Sequence, residues 1–121
     1  MLSEKDEIRL RHMLEAAQQA IAFAAGRSRE DLDTDRQLEF AITRAIEIIG
    51  EAAFQVTEEG RTACPKLPWR EIVGMRHRIV HAYWDINRDR VWETVTENLP
   101  PLAAELERTL PAPPGETRRP G

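Results

Sequence analysis

Apolar residues recur along this chain at helical spacing, and no stretch alternates as a strand would require. Leu10, Leu14, Ala17, Ile21 and Ala24 step by four and by three, which places them on one helix face. The spacing predicts a helix from about Lys5 to Ala25, with Gly26 as its C-terminal stop. Thr34-Asp35-Arg36-Gln37 has the form of a capping box, with Thr34 as N-cap and Gln37 three residues on. The run that follows predicts a second helix to about Glu58, ended by Gly60. Its apolar positions, among them Leu38, Ile42, Ile46, Ile48, Ile49 and Val56, cover more than one stripe. A surface this broad belongs to a helix that is central in a bundle or also buries a face against a second subunit. The small residues Ala45, Gly50, Ala52 and Ala53 permit close approach.

Gly60, Pro65 and Pro68 predict a loop over 60–68, and a third helix begins near Trp69 and runs to Val80 or His81. Asp85-Ile86-Asn87 supplies turn and N-cap chemistry. A fourth helix starts at Arg88 with Val91, Trp92, Val95 and Leu99 inward. Pro100-Pro101 should break or kink it, because Pro100 removes a donor and clashes with the preceding turn. Leu102, Leu106 and Leu110 then resume the stripe. Residues 111–121 have nothing to bury and read as a disordered tail. The expected fold is all-α, an antiparallel up-and-down bundle of four main helices with the last kinked, forming a single domain over residues 1–110.

At 121 residues the chain can build one compact core but not two full domains. Hydrophobic residues at 41% and charged residues at 31%, with a net charge of −4, describe a globular domain rather than a disordered one. No run approaches the roughly 20 apolar residues that span a bilayer. The opening Met1–Glu7 is mostly polar and acidic, unlike a secretory leader. These features predict a cytoplasmic protein with no membrane partner. The single cysteine, Cys64, excludes an internal disulfide and any multi-cysteine zinc site, and reads as a structural or incidental thiol.

Charge is unevenly spread. Residues 61–90 hold Arg61, Lys66, Arg70, Arg76, Arg78, Arg88 and Arg90 against only Glu71, Asp85 and Asp89. A basic stretch on an acidic protein can attract a polyanion or can be a solvated face. Within it, Met75-Arg76-His77-Arg78-Ile79-Val80-His81-Ala82-Tyr83-Trp84 gathers two of the three histidines and the only tyrosine. His12, alone in the first helix, reads as a surface residue. Histidine exchanges protons near neutrality, and the arginine fork matches phosphate oxygens. Together they suffice, without metal, for attack of a ribose 2′-hydroxyl on its own phosphodiester.

The spacing itself leaves alternatives open. Arg76 and His81, five apart, fall to either side of a shared helical stripe. They converge only if the helix ends near His81 or a second subunit brings its own pair. His77 and His81, at i and i+4, would project together and could share a metal, but two ligands are too few and no acidic partners stand close in sequence. A helix C-terminus also favours histidine and arginine through its dipole alone.

Arg76-His77-Arg78-Ile79-Val80-His81 resembles the Arg-x(4–6)-His motif of the HEPN superfamily, in which a polar residue follows the arginine. The wider run from Pro68-Trp69 through Gly74-Met75-Arg76 and His81-Ala82-Tyr83 to Leu99-Pro100 resembles the HepT-like branch, the toxin halves of HepT/MntA toxin–antitoxin modules. The resemblance implies a helical homodimer with two motifs facing each other across the interface. It also implies metal-independent endoribonuclease activity without a cofactor, in a prokaryotic cytoplasm. Arg76 and His81 would be the catalytic pair, and His77, where asparagine is commoner, the polar supporting residue. Arg78 and Arg70 are candidate RNA contacts. Tyr83 matches the tyrosine to which a minimal nucleotidyltransferase antitoxin attaches AMP, a modification that would block the site and repel phosphate. The competing expectation is a module of the same fold that binds nucleotide or protein without turnover, which the acidity of the chain keeps in play.

Overall fold

The computed structural model describes residues 2–82 and 85–111, with His81 described in its backbone alone. The expected AMP-acceptor Tyr83, its neighbour Trp84 and the expected tail over 112–121 lie outside the described residues. Helix α1 spans Glu4–Ala24, α2 Asp31–Thr34, α3 Arg36–Gln55, α4 Glu58–Ala63, α5 Trp69–Val73 and α6 Met75–Ile79. Strands β1, Val80–Ala82, and β2, Asp85–Ile86, pair antiparallel. Helix α7, Arg88–Glu93, passes through a π-helical turn at Thr94–Asn98 into α8, Leu99–Thr109. The all-α class is therefore as the periodicity predicts, with one small hairpin that it does not. The expected third helix is divided between α5 and α6 at Gly74, and its last residues belong to β1.

Helix α1 packs chiefly on α3, and α8 packs on α1. Both pairs run antiparallel. Asp6 near the start of α1 meets Thr57 just beyond α3, while Gln18 meets Glu107 and Arg11 meets the carbonyl of Pro111. Leu10, Met13 and Ala17 of α1, Ile42, Ile46 and Ile49 of α3, and Leu99 and Leu106 of α8 are buried in one core. Leu14 and Ile21 of the expected α1 stripe are only partly buried, because the buried face is rotated toward Met13, Ala16 and Ala20. No helix among the described residues is long and apolar enough to cross a membrane.

Several boundaries move for identifiable reasons. Gly26 adopts φ +73° and stops α1 as expected. The cap of α3 is Asp35 rather than Thr34: its carboxylate accepts from the Leu38 amide at 3.0 Å and from Arg27 Nη2 at 2.9 Å. Helix α3 ends at Gln55, short of Glu58, where Val56 and Thr57 turn extended. Gly60 then lies inside α4, whose N-cap Thr57 accepts from the Gly60 amide at 3.1 Å. Asn87 caps α7 as predicted, accepting from the Arg90 amide at 3.1 Å. Pro100 and Pro101 do not break the last helix. They occupy the first turn of α8, where a missing N–H costs little. The backbone adjusts in the widened turn before them, where carbonyls lose the donors that the prolines lack.

Candidate active site

The motif region is held from below. Ile72, Met75 and Ile79, spaced three and four apart, are buried and anchor α5 and α6 onto the core. The start of α5 is fixed by Trp69, whose indole Nε1 donates to the Cys64 carbonyl at 3.0 Å and whose ring faces the Arg61 guanidinium at 5.5 Å. Helix α5 passes over Gly50 of α3, with the carbonyls of Ile72 and Val73 at 3.6 and 3.7 Å from where a Cβ would stand, ordinary van der Waals distances. With the apolar face committed inward, Arg76, His77 and Arg78 are left on the exposed side.

Successive residues on a helix point about 100° apart, so three consecutive side chains cannot share one site. Arg76 and His77 together line an open groove of about 770 Å³ formed with α1 and α3. Arg76 Nε donates to Glu47 Oε2 at 3.3 Å, which ties the guanidinium to α3. Arg78 turns away: its Nη2 donates to the Glu71 carbonyl at 2.8 Å, and it borders a separate cavity of about 410 Å³ against α8. Arg70 borders a third recess with Arg61 and Trp69. Neither of the candidate RNA contacts Arg78 and Arg70 therefore lines the groove of Arg76 and His77.

Helix α6 ends at Ile79, two residues before His81, which satisfies one of the two conditions for Arg76 and His81 to converge. The Asn87 amide closes this end by donating to the Ile79 carbonyl at 2.7 Å. Because His81 lies in β1, the i, i+4 argument for a His77/His81 pair on one helix face fails. No group of three His, Cys, Asp or Glu side chains able to hold a metal occurs among the described residues.

Sequence reasoning missed the far wall of the groove. His12, expected as an isolated surface residue, lines it together with Arg9 of α1 and Arg44 of α3. The signal was the antiparallel register: with residue 6 beside residue 57, residues 9–12 of α1 fall level with residues 51–54 of α3. Cys64 is buried, and its thiol is pushed up by burial and by the carboxylates of Asp6 and Glu105. That is the opposite of an activated nucleophile.

The sequence model of the family described as Ribonuclease HepT-like matches residues 13–109. A protein of Caldanaerobacter subterraneus named "Putative RNase TTE0752" is 37% identical over 101 residues, covering 84% of this chain and 90% of that one. "Probable ribonuclease HepT" of Thermococcus cleftensis is 38% identical over 79 residues, covering 65% and 72% of the two chains. No solved structure matches the chain.

Proposed function

Since the chain belongs to the HepT-like ribonuclease family, we propose that it is the endoribonuclease toxin of a toxin–antitoxin pair, cutting RNA without a metal. The observation that carries this reading is the placement of Arg76 and His77 side by side on one open groove, at a helix end that stops just before His81.

In this mechanism His81 takes the proton of a ribose 2′-hydroxyl, and the 2′-oxygen attacks the adjacent phosphorus. The bond from phosphorus to the 5′-oxygen breaks, and that oxygen receives the proton from the imidazolium directly or through water. The products are a 2′,3′-cyclic phosphate and a 5′-hydroxyl. Arg76 stabilises the charge that builds on the phosphoryl oxygens, with Glu47 fixing its orientation. His77 supports the phosphate from the neighbouring position. A homodimer would bring two such sites together, and the exposed Phe23 and Phe40 on α1 and α3 offer apolar surface for a second copy to cover.

The partner in this reading is a minimal nucleotidyltransferase that attaches AMP to Tyr83, adding bulk and negative charge two residues from His81. Two measurements test the proposal. RNA incubated with purified protein in EDTA should yield fragments ending in 2′,3′-cyclic phosphate. Cleavage that requires a divalent ion, or leaves 3′-hydroxyl ends, contradicts the mechanism. A Tyr83→Phe variant should escape restraint by the partner, and full restraint of that variant would refute the modification site.

A further inference from the structure

The groove that carries Arg76 and His77 extends well beyond them, and its charge is opposite to that of the chain. Arg9 and His12 come from α1, Arg44 from α3, and Arg76 and His77 from α6, whereas Glu51 is the one carboxylate among the lining residues. The chain as a whole carries −4. A cationic trough on an anionic protein raises the local concentration of a polyanion there. The neighbouring carboxylates offset it only in part. Glu47 is occupied by Arg76, and Glu51 stands 3.8 Å from Arg44 with both side chains about 60% exposed, a pair of little strength. Arg9 makes no ion pair with any described residue.

Shape narrows the ligand further. The groove lies between helices, and its lining includes Phe54, 67% exposed, and the half-buried Ile48. Double-stranded RNA is gripped across its wide minor groove by projecting surfaces. A single strand instead lays its phosphates along a basic trough and stacks bases on aromatic faces. We infer that Arg9, His12 and Arg44 form the binding track for single-stranded RNA, holding phosphates beside the scissile one while Phe54 receives an unstacked base. This rests on the ribonuclease reading above and extends it. Arg9 and Arg44 are binding residues, and the chemistry stays with the motif.

The test uses a fluorescent single-stranded oligonucleotide carrying 2′-O-methyl groups throughout, which binds without being cut, read by anisotropy over a salt series. Arg9→Gln and Arg44→Gln should each weaken binding by about three- to tenfold. The double variant should flatten the slope of log K against log salt by about 1.4, since each single-strand phosphate contact contributes about 0.7. Arg108→Gln, at the cavity beside α8, serves as the surface control and should leave binding unchanged. The oligonucleotide in duplex form should bind at least about tenfold more weakly. Arg9 is half-buried and Arg44 exposed, so the variants should keep the wild-type melting temperature, which circular dichroism checks.

Unchanged affinity and salt slope in the double variant overturn the inference, as does equal binding of the duplex. With unmodified RNA the double variant should raise KM and leave kcat near wild type. Loss of kcat with unchanged KM also overturns it. Failure of the ribonuclease reading is distinguishable. In that case wild type cuts no RNA, while the uncleavable strand still binds and still depends on Arg9 and Arg44.

Discussion

A methyl group added at Gly60 would stand 2.5 Å from Oδ2 and 2.7 Å from Cγ of Asp6, and 2.8 Å from Cγ1 of Val56. An exposed carboxylate could swing aside, but Asp6 is 2% exposed and held on both oxygens. The Thr57 amide donates to Oδ1 at 3.0 Å, and the Thr57 hydroxyl donates to Oδ2. Gly60→Ala therefore overpacks a fixed polar contact, which costs about 1–3 kcal/mol. Alanine would return at most about 1 kcal/mol of helix propensity, and less this close to an N-terminus. The net expectation is destabilisation by about 1–2 kcal/mol, a fall of several degrees in melting temperature. Urea unfolding of Gly60→Ala, Asp6→Ala and the double variant measures it. With the carboxylate gone the two shortest contacts are relieved and Val56 Cγ1 remains, so the cycle should show a coupling of about 1 kcal/mol. A neutral or stabilising Gly60→Ala, or an equal cost in the Asp6→Ala background, would refute the packing argument.

The same carboxylate makes the fold acid-sensitive. Burial would raise the Asp6 carboxyl, but hydrogen bonds from Thr57 and Ser3 outweigh it and hold the group below its ordinary value. Its contribution is then present above the unfolded carboxylate range near pH 4 and lost as pH falls through the lower folded value. Asp6→Asn should flatten that part of the stability curve, and an unaltered acid limb argues against the assignment. Arg88 pairs with Glu39, whose side chain is 5% exposed, so Arg88→Ala should cost about 1–3 kcal/mol by leaving a buried carboxylate alone, measured by denaturant unfolding. Cys64 should resist iodoacetamide at neutral pH in the folded protein and react on unfolding, and rapid labelling of the native state would contradict its burial.

How far the molecule was legible in its sequence depended on whether a signal was local. Gly26, Asn87 and the Leu102, Leu106, Leu110 stripe act within one or two turns of chain, and all three take the expected places. Gly60 looked like a stop signal, but its need is spatial: it leaves room for Asp6, 54 positions away in the chain. The capping motif at residues 34–37 misled by one position, because Asp35 also answers Arg27 across the turn. The break at Gly74 and the two-strand hairpin were hidden because the apolar spacing of Ile72, Met75 and Ile79 continues through the break unaltered. At the site, Arg76 and His77 could be singled out from their motif. Arg9, His12 and Arg44 could not, since only the antiparallel packing of α1 on α3 brings them to the same groove.

Cleavage of a defined single-stranded RNA by purified protein in EDTA, wild type against His81→Ala and Arg76→Ala, tests the central claim most directly. The account predicts cutting by wild type alone, at least about a hundredfold above either variant, with all three proteins melting alike. Equal cleavage by His81→Ala, or loss of wild-type cleavage in EDTA, would contradict it.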